Sequence, residues 1–438
     1  MEDLVIRARW LYTEGKMLKN QQVVVENGLI TYTGSQNGSE IPTGAEIKDY
    51  KKGLIIPPFI NAHTHISETL IRGICDDADL HEWLYEHVWK VEPKMKPNDA
   101  IIGAQLGAAE MIASGTIGFV DQYFYSDQIA QVVQDVGMKA LLCPSIFEGN
   151  PETNDIESSY RKNVEVLEKW HKKDNRIFIG LGPHAPYTVS DEYYLKIYDK
   201  AKEHNTKIHT HLNETQREVK ESHQQFGLSP IEKMDKLGVL DHIIAAHCVH
   251  VSDNDKLLLK SNNVSVLHCI QSNLKVAAGV ADIPDFLKRN INVCLGTDGN
   301  ASNNNLEMLE EVRLTALIHK GLHYNPKLIR TETALKMATE NSAKLFPEGI
   351  FSGKIRVSDN ADILVVDLNK LHTTPVINPL SNWIYSGNNQ NVALTISNGK
   401  ILYDEGKFTT LNIDEIMDQA QQSTNRMMDD ADYTSRTL

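Results

Sequence analysis

Between residues 53 and 300 a short apolar run recurs, each time followed by polar or glycine-rich residues and then by a helix-like segment. The runs are Leu54 to His65, Thr116 to Asp121, Ala140 to Ser145, Ile177 to His184, Lys207 to His211, Ile243 to His247, Val264 to His268 and Ile291 to Asp298. Continuously apolar runs, punctuated by glycine or proline and alternating with amphipathic stretches such as Ala100 to Ala113 and Asp191 to His204, indicate parallel strands joined by helical crossovers. Eight such units imply an α/β chain whose strands close into a (β/α)8 TIM barrel, expected over residues 57–349.

Outside the barrel, Leu4 to Leu11, Gln22 to Glu26 and Leu29 to Gly34 alternate strand with turn. A matching set appears late, in Ala361 to Asp367, Ala393 to Ser397 and Lys400 to Tyr403, with Asn398-Gly399 as a hairpin signal. Residues 1–56 and 350–410 are therefore expected to form one small β-sandwich from both chain ends. The remainder, 411–438, has a helical pattern from Ile413 but turns polar and acidic at Met428-Asp-Asp-Ala-Asp, so its last residues are expected to be disordered. The stretch 66–98, with Trp83, Trp89 and Glu92, is long for a connection and reads as a wall of a substrate pocket.

The chemistry sits at the ends of the apolar runs. Alternate residues of a strand share one side, so His63 and His65 can converge on one cation where their strand ends. Two neighbouring histidines are often surface or core residues, but His211, His247 and Asp298 each end a buried run in the same way. In a barrel of this type reactive groups stand at the carboxyl ends of the strands. His63, His65, His211 and Asp298 supply the nitrogen and oxygen donors that suit one divalent ion, with zinc expected, and an ion with an open position turns water into a hydroxide-like nucleophile near neutral pH. Hydrolysis is the natural reaction class.

Glu214, three residues beyond His211, is placed to exchange protons with a substrate, although an acid at a helix start also has a purely structural explanation. His247 is expected to orient the attacking water or to serve as a fourth imidazole ligand, and Asp298 to accept the water's proton as well as bind the ion. His209 reads as a satisfied core histidine, His184 as a residue at the end of the fourth strand that could touch substrate, and His268 as a supporting group. His81, His87, His171, His223 and the remaining histidines read as surface positions.

Composition narrows the partners. With 58 acidic against 44 basic side chains and a formal charge of −14, the chain offers no basic stripe for a nucleic acid polymer. The five cysteines are scattered without a Cys-x-x-Cys pair, which argues against a disulfide framework and a thiolate zinc cluster. The opening Met1-Glu-Asp-Leu lacks a basic leader and no stretch is long enough to span a bilayer, so a cytoplasmic protein without membrane contact is expected.

These motifs resemble the amidohydrolase superfamily, and within it the 5′-methylthioadenosine/S-adenosylhomocysteine deaminases, along nearly the whole chain. Pro57-Pro-Phe-Ile-Asn-Ala-His-Thr-His65, His211-Leu-Asn-Glu-Thr215, Leu267-His-Cys-Ile-Gln-Ser-Asn-Leu-Lys275 and Gly296-Thr-Asp-Gly-Asn-Ala-Ser-Asn-Asn-Asn-Leu306 carry the resemblance. It implies that His63, His65, His211 and Asp298 bind a single metal, while Glu214 and His247 handle protons and water. His184, standing where binuclear members carry a lysine, fits the mononuclear form. The resemblance further implies that Glu92, in Trp89-Lys-Val-Glu-Pro93, binds the ribose hydroxyls, that His184 and Glu214 touch the nucleoside, and that the protein is a homo-oligomer. Arg161 is the one candidate for contacting an amino-acid tail on the substrate. The activity implied is hydrolytic deamination of an adenine nucleoside (5′-methylthioadenosine, S-adenosylhomocysteine, 5′-deoxyadenosine or adenosine) to its inosine analogue and ammonia. Two alternatives keep the fold: a deaminase or chlorohydrolase of a free base or triazine, and a non-catalytic scaffold.

Overall fold

A computed structural model describes residues 3–434. The chain opens with β1 (Leu4–Thr13), β2 (Lys16–Glu26), β3 (Leu29–Ser35) and β4 (Glu46–Ile56). Strand β4 is not signalled by the sequence, because its first seven residues, Glu46-Ile-Lys-Asp-Tyr-Lys-Lys, are largely exposed and polar. Its apolar end, Leu54 to Ile56, corrects the expected first barrel strand. Pro57 and Pro58 have no N–H to give to a ladder, so the run breaks there and the barrel begins at β5 (Phe59–Thr64).

The barrel strands follow as β6 (Thr116–Asp121), β7 (Lys139–Leu142), its short continuation β8 (Ser145–Ile146), β9 (Ile177–Ile179), its continuation β10 (Gly182–Pro183), β11 (Ile208–Leu212), β12 (Ile243–His247), β13 (Ser265–His268) and β14 (Asn292–Leu295). They form two parallel four-stranded sheets, β5-β6-β7-β9 and β11-β12-β13-β14. The Leu181 N–H donates to Lys207 O and the His209 N–H to Leu181 O, both at 2.9 Å, which joins β9 to β11. On the other side the Asp298 N–H donates to His63 O at 2.9 Å and brings the end of β14 against β5. The ring of eight expected strands is thereby closed.

After the barrel, β15 (Ile363–Asp367), β16 (Val392–Ser397), β17 (Lys400–Asp404) and β18 (Lys407–Phe408) return to the first four strands. The result is one continuous eight-stranded sheet in the order β18-β17-β16-β15-β4-β1-β2-β3. It turns back on itself. The Ile30 N–H donates to Asp359 O at 3.0 Å and the Ala361 N–H to Gly28 O at 2.9 Å, so Ile6, Val23, Ile30, Ile55, Ile363 and Leu394 share a separate apolar core. The β16–β17 hairpin turns at Asn398 (φ +48°) and Gly399 (φ +76°), the two positive angles that such a turn requires.

Lys139, the first residue of β7, fastens the barrel to this sheet. Its buried Nζ donates to Asp362 Oδ2 at 2.7 Å and to Ile350 O at 3.0 Å, and lies 4.3 Å from the centre of the Phe351 ring. Lys139→Ala leaves the Asp362 carboxylate without its cation, and the expected cost is about 3–5 kcal/mol. A urea denaturation midpoint that falls accordingly, with unchanged activity per folded molecule, is the expected result.

The chain ends in a helix, Ile413–Asp430, whose residue Thr424 donates to Leu70 O at 2.7 Å. The acidic Met428-Asp-Asp segment belongs to this helix. Met427 is buried, Arg426 pairs with Asp99 and with Asp430, and the Tyr433 hydroxyl lies 2.6 Å from His87 Nδ1. The expectation of disorder for residues 435–438 lies outside the described residues. No helix among the described residues is long and apolar enough to cross a membrane.

Candidate active site

The carboxyl ends of the barrel strands bring the candidate ligands together. His63 and His65, on the same side at the end of β5, reach Asp298 Oδ1 with their Nε2 atoms at 3.3 and 3.1 Å. The other nitrogen of each ring is held from behind. His65 Nδ1 donates to Gln122 O at 2.6 Å and His211 Nδ1 to His184 O at 2.7 Å, while His63 Nδ1 lies 2.9 Å from His209 Nε2. Donation from Nδ1 leaves the Nε2 lone pairs of His65 and His211 free for a cation.

His63 Nε2 is buried without a hydrogen-bond partner, the kind of orphan that a metal ion satisfies. Ligand atoms of His63, His65 and Asp298 lie within 4.8 Å of one another, as do those of His63, His211 and His247. Burial holds His211 well below the usual histidine range, and the neighbouring imidazoles add to the shift, so this ring is neutral. The donor set therefore fits a divalent ion.

His247 is held differently. Its Nδ1 accepts from Asn273 Nδ2 at 2.9 Å, which puts the ring proton on Nε2, 3.8 Å from Glu214 Oε1. A protonated Nε2 donates to water or substrate rather than ligating metal, and burial lowers the pKa of this ring to about 3. His247 and Asp298 both have left-handed backbone, with φ of +71° and +68°, where the chain leaves its strand. Such strain costs about 1–3 kcal/mol per residue and concentrates at functional sites. Ser272 Oγ donates to Asp298 Oδ2 at 2.6 Å and the Gly299 N–H to Oδ1 at 2.8 Å, which fixes the carboxylate plane.

Glu214 is buried just past β11, where its backbone N–H donates to Glu218 Oε2 at 2.7 Å. Burial, reinforced by the charges of Asp298 and Glu218, raises its pKa well above the ordinary carboxylate value, which favours the protonated form. The candidate groups open onto a cleft of about 640 Å³ including its mouth. The stretch after β5 forms one wall through Trp83, Leu84, Val88, Trp89 and Glu92, as expected, although it is folded into short helical turns. Glu92 accepts from the Tyr123 hydroxyl at 2.7 Å, and burial lifts its pKa to about 7. His184 lines the cleft with Nδ1 3.0 Å from the Thr188 hydroxyl.

Other expectations change. His209 does not: it is the buried, hydrogen-bonded histidine expected, and it supports His63 from behind. Arg161 is exposed, bonds weakly to Ser158 at 3.4 Å and is absent from the cleft lining. Among the supposed surface histidines, His87 and His319 are buried, and His171 is half-buried and accepts from the Ile179 N–H at 3.1 Å. The reason is helical geometry, which places His319 on the inner face of the helix Met308–Leu322, 6.1 Å from the His268 ring. Burial lowers these two rings to about 4 and about 3. An unfolded histidine protonates near pH 6.5 while these stay neutral, so stability present above that pH is lost as pH falls from about 6.5 through 4. His319→Phe is expected to flatten this acid limb, measured as melting temperature between pH 7.5 and 4.5.

The sequence reading missed Glu68, which is 4% exposed, lines the cleft and has a pKa raised to about 8, first by burial and then by the charges of Glu92 and Asp298, against the opposing effect of His65. A signal existed: Glu68 follows His65 by three residues, as Glu214 follows His211. Gln122, Ser272 and Asn273 were also missed, since a polar residue that orients a ligand has no spacing rule of its own.

The amidohydrolase family profile matches residues 54–402. A 5-methylthioadenosine/S-adenosylhomocysteine deaminase of Thermoanaerobacter pseudethanolicus is 39% identical over 95% of this chain and 96% of its own. A 5′-deoxyadenosine deaminase of Methanococcoides burtonii is 36% identical over 99% of both. Among solved structures, an adenosine deaminase from Xanthomonas campestris with bound zinc superposes with a TM-score of 0.94 at 30% identity, covering 98% of this chain and 99% of that one.

Proposed function

Because the chain belongs to the amidohydrolase family, we propose that it is a metal-dependent aminohydrolase that converts an adenine nucleoside to its inosine analogue with release of ammonia. The observation that carries this reading is the meeting of three imidazoles and one carboxylate beside a buried Glu214, whose pKa burial raises, on a cleft walled by Trp83, Trp89 and Glu92. His63, His65, His211 and Asp298 would hold one ion, for which zinc suits the nitrogen and oxygen donors. When bound, the ion activates water and supplies positive charge where oxygen becomes negative.

The residues of the chain do the rest. His247, with its proton on Nε2, orients the water toward the ring carbon that bears the amine. Asp298 accepts a proton from that water, and Glu214 gives its own to the adjacent ring nitrogen, so that addition builds no full charge on the ring. Asp298 then passes its proton to the departing amine, which leaves as ammonia. The hydroxyl proton of the adduct returns to Glu214 as the carbonyl forms.

Glu92 has one partner, Tyr123, and spare acceptor capacity for the two ribose hydroxyls. His184 stands beside it on the cleft and would contact the nucleoside. All five cysteines are unpaired thiols, which suits the reducing cytoplasm where we place the reaction.

The direct test mixes purified protein with methylthioadenosine, 5′-deoxyadenosine, S-adenosylhomocysteine and adenosine and follows the loss of adenine absorbance. Deamination of at least one is expected, and no change with any of them in metal-loaded protein rules the reading out. Glu92→Gln is expected to raise KM for the accepted nucleoside about tenfold or more while barely changing any activity on free adenine. The reverse pattern would identify a free-base deaminase.

A further inference from the structure

Glu68 has no part in the mechanism above, yet its side chain is buried on the lining of the same cleft. It follows β5 and leans on the segment after β14. The Ala301 N–H donates to Oε2 at 3.3 Å, and a Cβ added to Gly299 would overlap the Glu68 carboxyl. Gly299 is next to Asp298, so this carboxyl lies at the depth of the candidate metal ligands and not at the mouth of the cleft. Around the closed ring β5 and β11 are four strands apart in either direction, which sets Glu68 across the cleft from Glu214. One long hydrogen bond leaves a buried carboxyl with unused capacity, and such groups are normally satisfied by a partner.

On the nucleoside reading, Glu214 addresses the ring nitrogen on one side of the reacting carbon. On the other side of that carbon a purine presents its exocyclic amine and N7. The sugar is the part that Glu92 would address. We propose that Glu68 reads this second purine edge and so fixes which way round the base enters. A carboxyl group serves in either form, accepting from the amine or donating to N7, and a substrate lacking both groups has nothing to offer it. The inference rests on the nucleoside reading but is tested by binding, so the two can fail separately.

The test uses metal-loaded full-length protein made slow by Glu214→Gln, with and without Glu68→Met, and reads quenching of Trp83 and Trp89 fluorescence. The ligands are adenosine, 7-deazaadenosine (no N7), purine riboside (no amine) and 2′,3′-dideoxyadenosine (no sugar hydroxyls). With Glu68 present, adenosine is expected to bind about tenfold or more tightly than one of the two edge analogues, and Glu68→Met should erase that preference while leaving the penalty for the dideoxy sugar intact. If Glu68→Met does not fold, Gly299→Ala, which displaces the carboxyl without removing it, should have the same effect. Equal weakening of all four ligands, no edge preference to begin with, a change that follows the sugar instead of the base, or no binding of adenosine would each overturn the inference. Binding as predicted by a protein that deaminates nothing would leave it standing and remove the proposed function.

Discussion

Glu214→Gln is expected to lower kcat by about 10²–10⁴ with little change in KM, since the amide keeps the shape and hydrogen-bonding reach of the acid but has no proton to transfer. The side chain is buried, and burial raises its pKa well above the ordinary carboxylate value, so it keeps its proton to higher pH than an exposed glutamate does. Activity of the wild type should therefore fall as pH rises through the raised pKa of Glu214. The residual activity of the variant should lack that alkaline limb. Steady-state rates from pH 6 to 10 for the two proteins check both points together. A variant retaining half of the wild-type kcat would leave Glu214 as no more than a helix-initial acid.

Asp298→Ala should have an effect of similar size for a different reason. It removes the oxygen that lies 3.3 and 3.1 Å from the His63 and His65 nitrogens, and with it the proposed proton acceptor for water. Loss of groups that only orient metal ligands costs about 10–100-fold in affinity, and loss of a ligand should cost at least as much. The purified variant is expected to be depleted in metal, to regain little activity on adding zinc, and still to fold. Metal content by emission spectrometry beside a thermal melt separates these outcomes. Full metal occupancy with normal turnover would exclude Asp298 from both roles.

The parts of the site that were legible from sequence share one property: a polar group ends an otherwise apolar run. His63, His65, His211, His247 and Asp298 stand out because a buried strand has no other use for them, and the barrel puts the strand ends in one place. Glu68 did not stand out, because Ile66-Ser-Glu-Thr-Leu-Ile mixes polar and apolar residues as any buried helical turn does. His319 looked like a surface residue because one histidine on a mixed helix carries no sign of which face is covered. The ladder-breaking Pro57-Pro58 pair was visible, and the expected domain boundary after residue 56 falls there, although the apolar run itself was read as continuous from Leu54 to His65. Strand β4 was hidden by its own exposed, charged first half, which pairs in parallel with β1 across a distance no local pattern reports.

The most direct measurement is an anomalous difference map from crystals of the zinc-loaded protein, collected on both sides of the zinc edge. One peak within about 2.0–2.2 Å of His63 Nε2, His65 Nε2, His211 Nε2 and an Asp298 oxygen is the predicted result. A peak elsewhere, or none at this place in fully loaded protein, would contradict a single cation held at the ends of these strands.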